Sequence, residues 1–174
     1  MTFDRAVAGD IFLTKIPGIG GKLIWLGQAI NGDLSEWTHA GLVMPDGRLF
    51  EAQPGGAVLS HQDRYDGHPV RVLHRVNLSD SQRAMMIQIA RGLEGSPYNW
   101  TTYFYLSAYR LHLPLTTRLL RKRVSRPNKM ICSQAVDWIA EQAGDHLFSD
   151  GRKPHDVTPG DLARLGLPDT ECWS

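Results

Sequence analysis

The spacing of apolar positions changes character near residue 78. Before it, short apolar runs are parted by turn residues: Ile11–Ile16, Thr38–Met44, Leu49–Gln53, Ala57–Ser60 and Val70–Val76, separated by Pro17-Gly18, Pro45-Asp46-Gly47, Pro54-Gly55-Gly56 and Asp66-Gly67-His68-Pro69. Short runs between such breakers predict strands, antiparallel where the connections are tight. A helix interrupts them, because Leu23, Trp25, Leu26 and Ile30 recur at near-helical spacing before Asn31-Gly32 stops it. Beyond residue 78 the period is helical. Ser79 and Gln82 form a capping box ahead of Met85, Met86, Ile89, Ala90 and Leu93, a stripe expected to pack into the core and to end near Gly95. A second helix begins at Cys132, buries Val136, Ile139, Ala140 and Ala143, and ends at Gly144. Thr158-Pro159-Gly160-Asp161 reads as N-cap, N1 proline and acidic first turn of a last short helix, stopped by Gly166. The expectation is α+β: a small antiparallel sheet packed against helices.

With 174 residues, 42% of them hydrophobic, the chain is long enough for one core and short for two. A single domain over 1–174 is expected. Residues 98–126 are aromatic and leucine-rich and are broken by Pro114, so they read either as a helical pair completing the core or as a lid or insertion over an apolar substrate.

Cys132 has the setting of a reactive thiol. It opens a helix, with Pro127 and Asn128 just upstream, and a helix N-terminus favours thiolate over thiol. Of seven histidines, His39 is placed like a base, because it heads the apolar run His39-Ala40-Gly41-Leu42-Val43-Met44 and a polar ring there needs a partner. The following turn supplies one. Pro45-Asp46-Gly47 has the pattern of a type I turn with a G1 bulge, a three-residue loop that pairs Met44 with Arg48, Val43 with Leu49, Leu42 with Phe50 and Gly41 with Glu51. His39, Gly41 and Glu51 then share a face, with His39 and Glu51 diagonal neighbours and Gly41 leaving the space between them clear. A two-residue loop at Asp46-Gly47 would move Glu51 to the other face. A carboxylate beside an imidazole fixes its tautomer and stabilises the imidazolium.

Gly9-Asp10-Ile11, Thr38-His39-Ala40-Gly41-Leu42-Val43, Phe50-Glu51-Ala52 with Gly55-Gly56-Ala57-Val58, Cys132-Ser133 opening a helix, and Val157-Thr158-Pro159-Gly160-Asp161-Leu162 follow one another in this order. Together they resemble the circularly permuted papain-like superfamily, which includes permuted NlpC-type amidases and lecithin retinol acyltransferase-like proteins. In ordinary papain-like enzymes cysteine precedes histidine; the order His39, Glu51, Cys132 is that of the permuted members. The resemblance implies a papain-like fold, with Cys132 as nucleophile, His39 as base and Glu51 as orienting residue. It implies a cysteine hydrolase of amide bonds working through a thioester, on substrates such as bacterial cell-wall peptides. Departures from the pattern are Gln134, where relatives often carry an acid, and Asn99 after Tyr98, where they often carry aspartate. Some relatives use histidine as the third member. Tyr98 has two readings, a hydroxyl at the oxyanion or an aromatic in packing.

Charge adds a partner question. The net charge is +1, yet Arg110, Arg118, Arg121, Lys122, Arg123, Arg126 and Lys129 lie in a stretch without an acid. This is either a solvated face or a contact for anionic lipid through Arg118, Arg121, Lys122, Arg123 and Arg126. A lipid-directed acyltransferase or deacylase is the alternative enzyme, and a non-catalytic binding domain the alternative to enzymes. Gly18-Ile19-Gly20-Gly21-Lys22-Leu23 lacks the first glycine and the Ser or Thr of a phosphate loop, so it reads as a loop beside the cleft. No nucleic-acid partner is expected. The histidines show no metal-ligand spacing and the two cysteines no framework, so neither metal nor cofactor is expected. No signal-peptide pattern opens the sequence, which points to the cytoplasm unless export follows another route.

Overall fold

The computed structural model describes residues 3–18, 21–22, 25, 28–29, 35–53, 55–96 and 131–165. Tyr98, the 98–126 segment and the five basic residues of the lipid contact lie outside them. The fold is α+β, as the change of period at residue 78 predicts. Five antiparallel strands, β1 (Ile11–Thr14), β2 (His39–Val43), β3 (Arg48–Gln53), β4 (Gly56–His61) and β5 (Val70–Leu73), form one sheet in the order β4-β3-β2-β1-β5. Helices α1 (Asp80–Gly92), α2 (Cys132–Gln142) and α3 (Pro159–Arg164) follow, with single 3-10 turns at Gln62–Tyr65 and Pro154–Asp156.

Side-chain alternation gives the sheet two apolar faces. Ile11, Leu13, Ala40, Leu42, Phe50, Ala52 and Leu73 form the larger core with Met86 and Ala90 of α1, Ala135, Val136, Ile139 and Ala140 of α2, and Leu162 and Ala163 of α3. Phe12, Val43 and Leu49 point the other way, against Phe3, Ala6, Tyr65, Val70 and Val72. The α1 stripe is narrower than its periodicity suggests. Met86 is sealed, but Met85 is 47% exposed, because the buried rail is the i, i+4 pair Met86 and Ala90 and Met85 lies to one side of it.

Strand β5 stops at Leu73 instead of running to Val76, because the next two residues turn to a buried carboxylate. His74 Nδ1 lies 2.8 Å from Asp10 Oδ2, and the Arg75 N–H donates to Oδ1 at 3.0 Å. Val7 N–H and Arg83 complete the cage. Burial opposes charge on Asp10, but the Val7 and Arg75 amides, then His74 and Arg83, hold its carboxyl below the usual range. The motif Gly9-Asp10-Ile11 therefore clamps β1, β5 and α1 together. Thr158-Pro159-Gly160-Asp161 is structural too: the Thr158 hydroxyl accepts from Asp161 N–H at 3.1 Å, and Asp161 accepts from Thr158 N–H at 2.8 Å.

Candidate active site

The hairpin β2–β3 has the register its turn predicts, reached through a different turn. Leu42 faces Phe50 and Val43 faces Leu49, and Met44 N–H donates to Arg48 C=O at 2.8 Å. Asp46 and Gly47 both adopt positive φ, 61° and 68°, and Arg48 N–H donates to Pro45 C=O. Those are the dihedral signs of a type I′ turn, not of a type I turn ending in one left-handed glycine. The two-residue turn does not slip the register, because Pro45, which has no N–H to pair, is the extra residue between Met44 and that turn.

Glu51 consequently shares the face of His39, and the two meet, His39 Nε2 to Glu51 Oε2, at 2.9 Å. Gly41 is required for another reason than an open path between them. A Cβ there would lie 2.4 Å from Phe12 Cε1 and 2.4 Å from the Phe50 carbonyl, so the space belongs to the Phe12 ring opposite it. That ring stands edge-on to His39, with centroids 6.3 Å apart, and packs on Tyr65 at 5.6 Å.

Cys132 comes to the same ring from the opposite side of the sheet. Helix α2 packs on the larger core, and its first residue reaches the first residue of β2, where thiol and imidazole hydrogen-bond. Since Nε2 is engaged with Glu51, Nδ1 is the nitrogen left for sulfur. The N-cap residue Ile131 brings no side-chain acceptor to the first turn, so the positive end of α2 bears on the thiol without a competing cap. Ser133 Oγ donates to the Val157 carbonyl at 2.8 Å, fastening this turn to the segment before α3.

His39, Glu51 and Cys132 are 3%, 1% and 1% exposed, so their charges act on one another with little water between. Burial opposes the imidazolium, but the facing Cys132, and after it Glu51, push the His39 pKa up to about 9. Burial likewise opposes the Glu51 anion; His39 first, then Ser60 and Tyr65, hold its carboxyl below the usual range. Ser60 and Tyr65 are the residues that sequence reasoning missed. The Ser60 hydroxyl donates to Glu51 Oε1, and the Tyr65 hydroxyl donates to Oε2 at 2.5 Å. Ser60 was visible in principle, since β4 pairs Glu51 with Val58 and Leu49 with Ser60, which puts Ser60 on the diagonal of Glu51. Tyr65 had no periodic signal, because it sits in the 3-10 turn after the strand.

The loop after β1 does open beside this region. Lys15, Lys22, Trp25, Glu36 and Thr38, the residue before His39, line an open groove of about 380 Å³. Lys15 pairs with Glu36 across it. Among the described residues no three His, Cys, Asp or Glu side chains gather to hold a metal ion, and no helix is long and apolar enough to cross a membrane.

No family model matches the chain, and no curated protein does. Solved structures do: the metalloprotein YiiX from Escherichia coli O157:H7 superposes with a TM-score of 0.58 over 86% of this chain and 77% of its own, at 19% identity. At that identity the likeness is one of fold.

Proposed function

We propose that the protein is a cysteine hydrolase of amide bonds on a permuted papain-like fold, with Cys132, His39 and Glu51 as its triad. The observation that carries this reading is a single buried imidazole joined on one side to a thiol at a helix N-terminus and on the other to a carboxylate. The chain order His39, Glu51, Cys132 agrees with it.

In this mechanism His39 Nδ1 takes the thiol proton and the thiolate attacks the substrate carbonyl carbon. The oxyanion forms beside the backbone N–H of Cys132 at the head of α2. The imidazolium then protonates the leaving nitrogen as the C–N bond breaks, leaving a thioester on Sγ and a free amine. A water molecule, deprotonated by His39, attacks the thioester; the C–S bond breaks, the acid leaves, and the thiol is restored. Glu51 stays charged throughout, holding the ring and balancing the imidazolium. The groove at Thr38 is the natural place for the chain beyond the reacting carbonyl, and peptides of the bacterial cell wall are the first substrates to try. YiiX is described as a metalloprotein, but the donors here do not fit a metal, since both Glu51 oxygens already accept hydrogen bonds. No step uses one.

With 1% of its surface open, Cys132 reacts only through an opening that admits the reagent. The informative quantity is therefore how labelling depends on pH and on His39, not its absolute rate. Mass-spectrometric mapping with iodoacetamide near neutral pH should modify Cys132 in preference to Cys172, and His39→Ala should abolish that preference. Turnover of muropeptides that disappears in Cys132→Ala would establish the hydrolase. Labelling of Cys132 that is indifferent to His39 would overturn it.

A further inference from the structure

Glu51 is held by more than its imidazole partner. Three donors from three elements converge on one buried carboxylate: His39 of β2 and the Tyr65 hydroxyl on Oε2, and the Ser60 hydroxyl of β4 on Oε1. The Tyr65 ring is only part-buried, and it is fixed independently of this bond by Phe12 on one side and the His68 ring, 6.3 Å away, on the other. Its backbone is also tied to the hairpin that carries Glu51, because Gln62, which begins the 3-10 turn, donates its N–H to the Gly47 carbonyl at 2.9 Å. The turn that sets the register of Glu51 thus also anchors the segment that brings Tyr65 to it.

Taking the triad reading as its basis, we propose that Tyr65 is a positioning residue: with Ser60 it pins the Glu51 carboxylate and keeps it ionised, so that Oε2 is always presented to Nε2 of His39. A carboxylate with a single partner can rotate about its last bond and offer either oxygen. One with both oxygens engaged cannot turn without breaking a hydrogen bond in a site closed to water. A fixed acceptor on Nε2 keeps the proton there and leaves the lone pair of Nδ1 to the thiol. The charged and titratable groups around the carboxylate are His39 on β2 and Tyr65 on the 3-10 turn, with Cys132 of α2 beyond the imidazole and Arg64 acting on Tyr65. Burial, and then the Glu51 charge, push the Tyr65 phenol up, so it stays a donor across the working range.

The test is Tyr65→Phe in the full chain, which keeps the ring and removes the donor. The ¹³C carboxyl resonance of Glu51 should titrate at higher pH in Tyr65→Phe, and Ser60→Ala should move it the same way. Iodoacetamide labelling of Cys132 at pH 7 should slow several-fold in Tyr65→Phe, and adding the substitution to Glu51→Gln should slow it no further. An unchanged Glu51 titration in Tyr65→Phe would overturn the proposal, as would an equal loss of labelling with and without Glu51. A His39→Ala protein that labels like the wild type would instead sink the triad reading, while the Glu51 titration would still report whether Tyr65 holds the carboxylate.

Discussion

His39 and Glu51, twelve residues apart in the chain, meet through Nε2 and Oε2 at 2.9 Å because the Pro45-Asp46-Gly47 connection sets their strands in the one register that puts both on the same face.

Replacing Glu51 by Gln leaves the shape and removes the charge. The Ser60 and Tyr65 hydroxyls and the His39 ring then share one carbonyl oxygen and an amide that donates instead of accepting. A buried network broken in this way costs roughly 2–4 kcal/mol. Urea unfolding should show the loss, together with a fall of at least about tenfold in Cys132 labelling at neutral pH, in keeping with the loss of an orienting carboxylate.

Cys132 is the first of the groups that raise the His39 pKa to about 9 against the effect of burial. Cys132→Ala removes it and leaves the burial. The imidazole should then titrate roughly 1–3 pH units lower, read from the His39 ring resonances by NMR. The pH dependence of stability should change with it. A folded pKa above the unfolded value of about 6.5 means stability that is full below pH 6.5 and is lost as pH rises through 9, and in the variant that loss should be smaller and end at lower pH.

Gly41→Ala puts a methyl 2.4 Å from both the Phe12 ring and the Phe50 carbonyl. One of these is backbone in a paired strand and cannot yield. The expected cost is about 3 kcal/mol or more, measured by chemical unfolding, and labelling of Cys132 should fall as the Phe12 ring is pushed toward His39.

Asp137, on the helix that begins at Cys132, is 5% exposed. Burial, and then Glu141, push its pKa up to about 6, with Arg152 and His146 pulling the other way. A carboxyl with a raised pKa contributes stability below its unfolded pKa of about 3.9, and loses it as pH rises through 6. Asp137→Asn should therefore stabilise the protein at pH 7.5 by on the order of 2 kcal/mol and scarcely change it at pH 4. Thermal melts at the two pH values decide it.

Much of the arrangement could be read from the residues. Turn dipeptides bound the strands, capping boxes place α1 and α3, and a period-2 count puts His39 and Glu51 on one face. What could not be read were contacts that no local period encodes. Tyr65 reaches Glu51 from an irregular turn, Phe12 claims the space over Gly41 from a strand 29 positions earlier, and α2 brings Cys132 to β2 across the end of the sheet. The motif around Asp10 illustrates the reverse: a pattern noticed for its resemblance is, physically, a clamp between strands and helix.

The bulge at Pro45 limits how this hairpin can change. Deleting that proline would leave Asp46-Gly47 as a regular two-residue turn between matched strands, a local improvement by every rule of hairpin design. Met44 would still face Arg48, so Glu51 would keep the face of His39; retaining Pro45 but pairing it with Arg48 across Asp46-Gly47 is what would rotate β3 by one position, send Glu51 into the apolar layer beneath α2 and turn Phe50 outward. The working site therefore depends on Pro45 staying out of the ladder, which its missing N–H favours: the connection can lose this residue but cannot pair it.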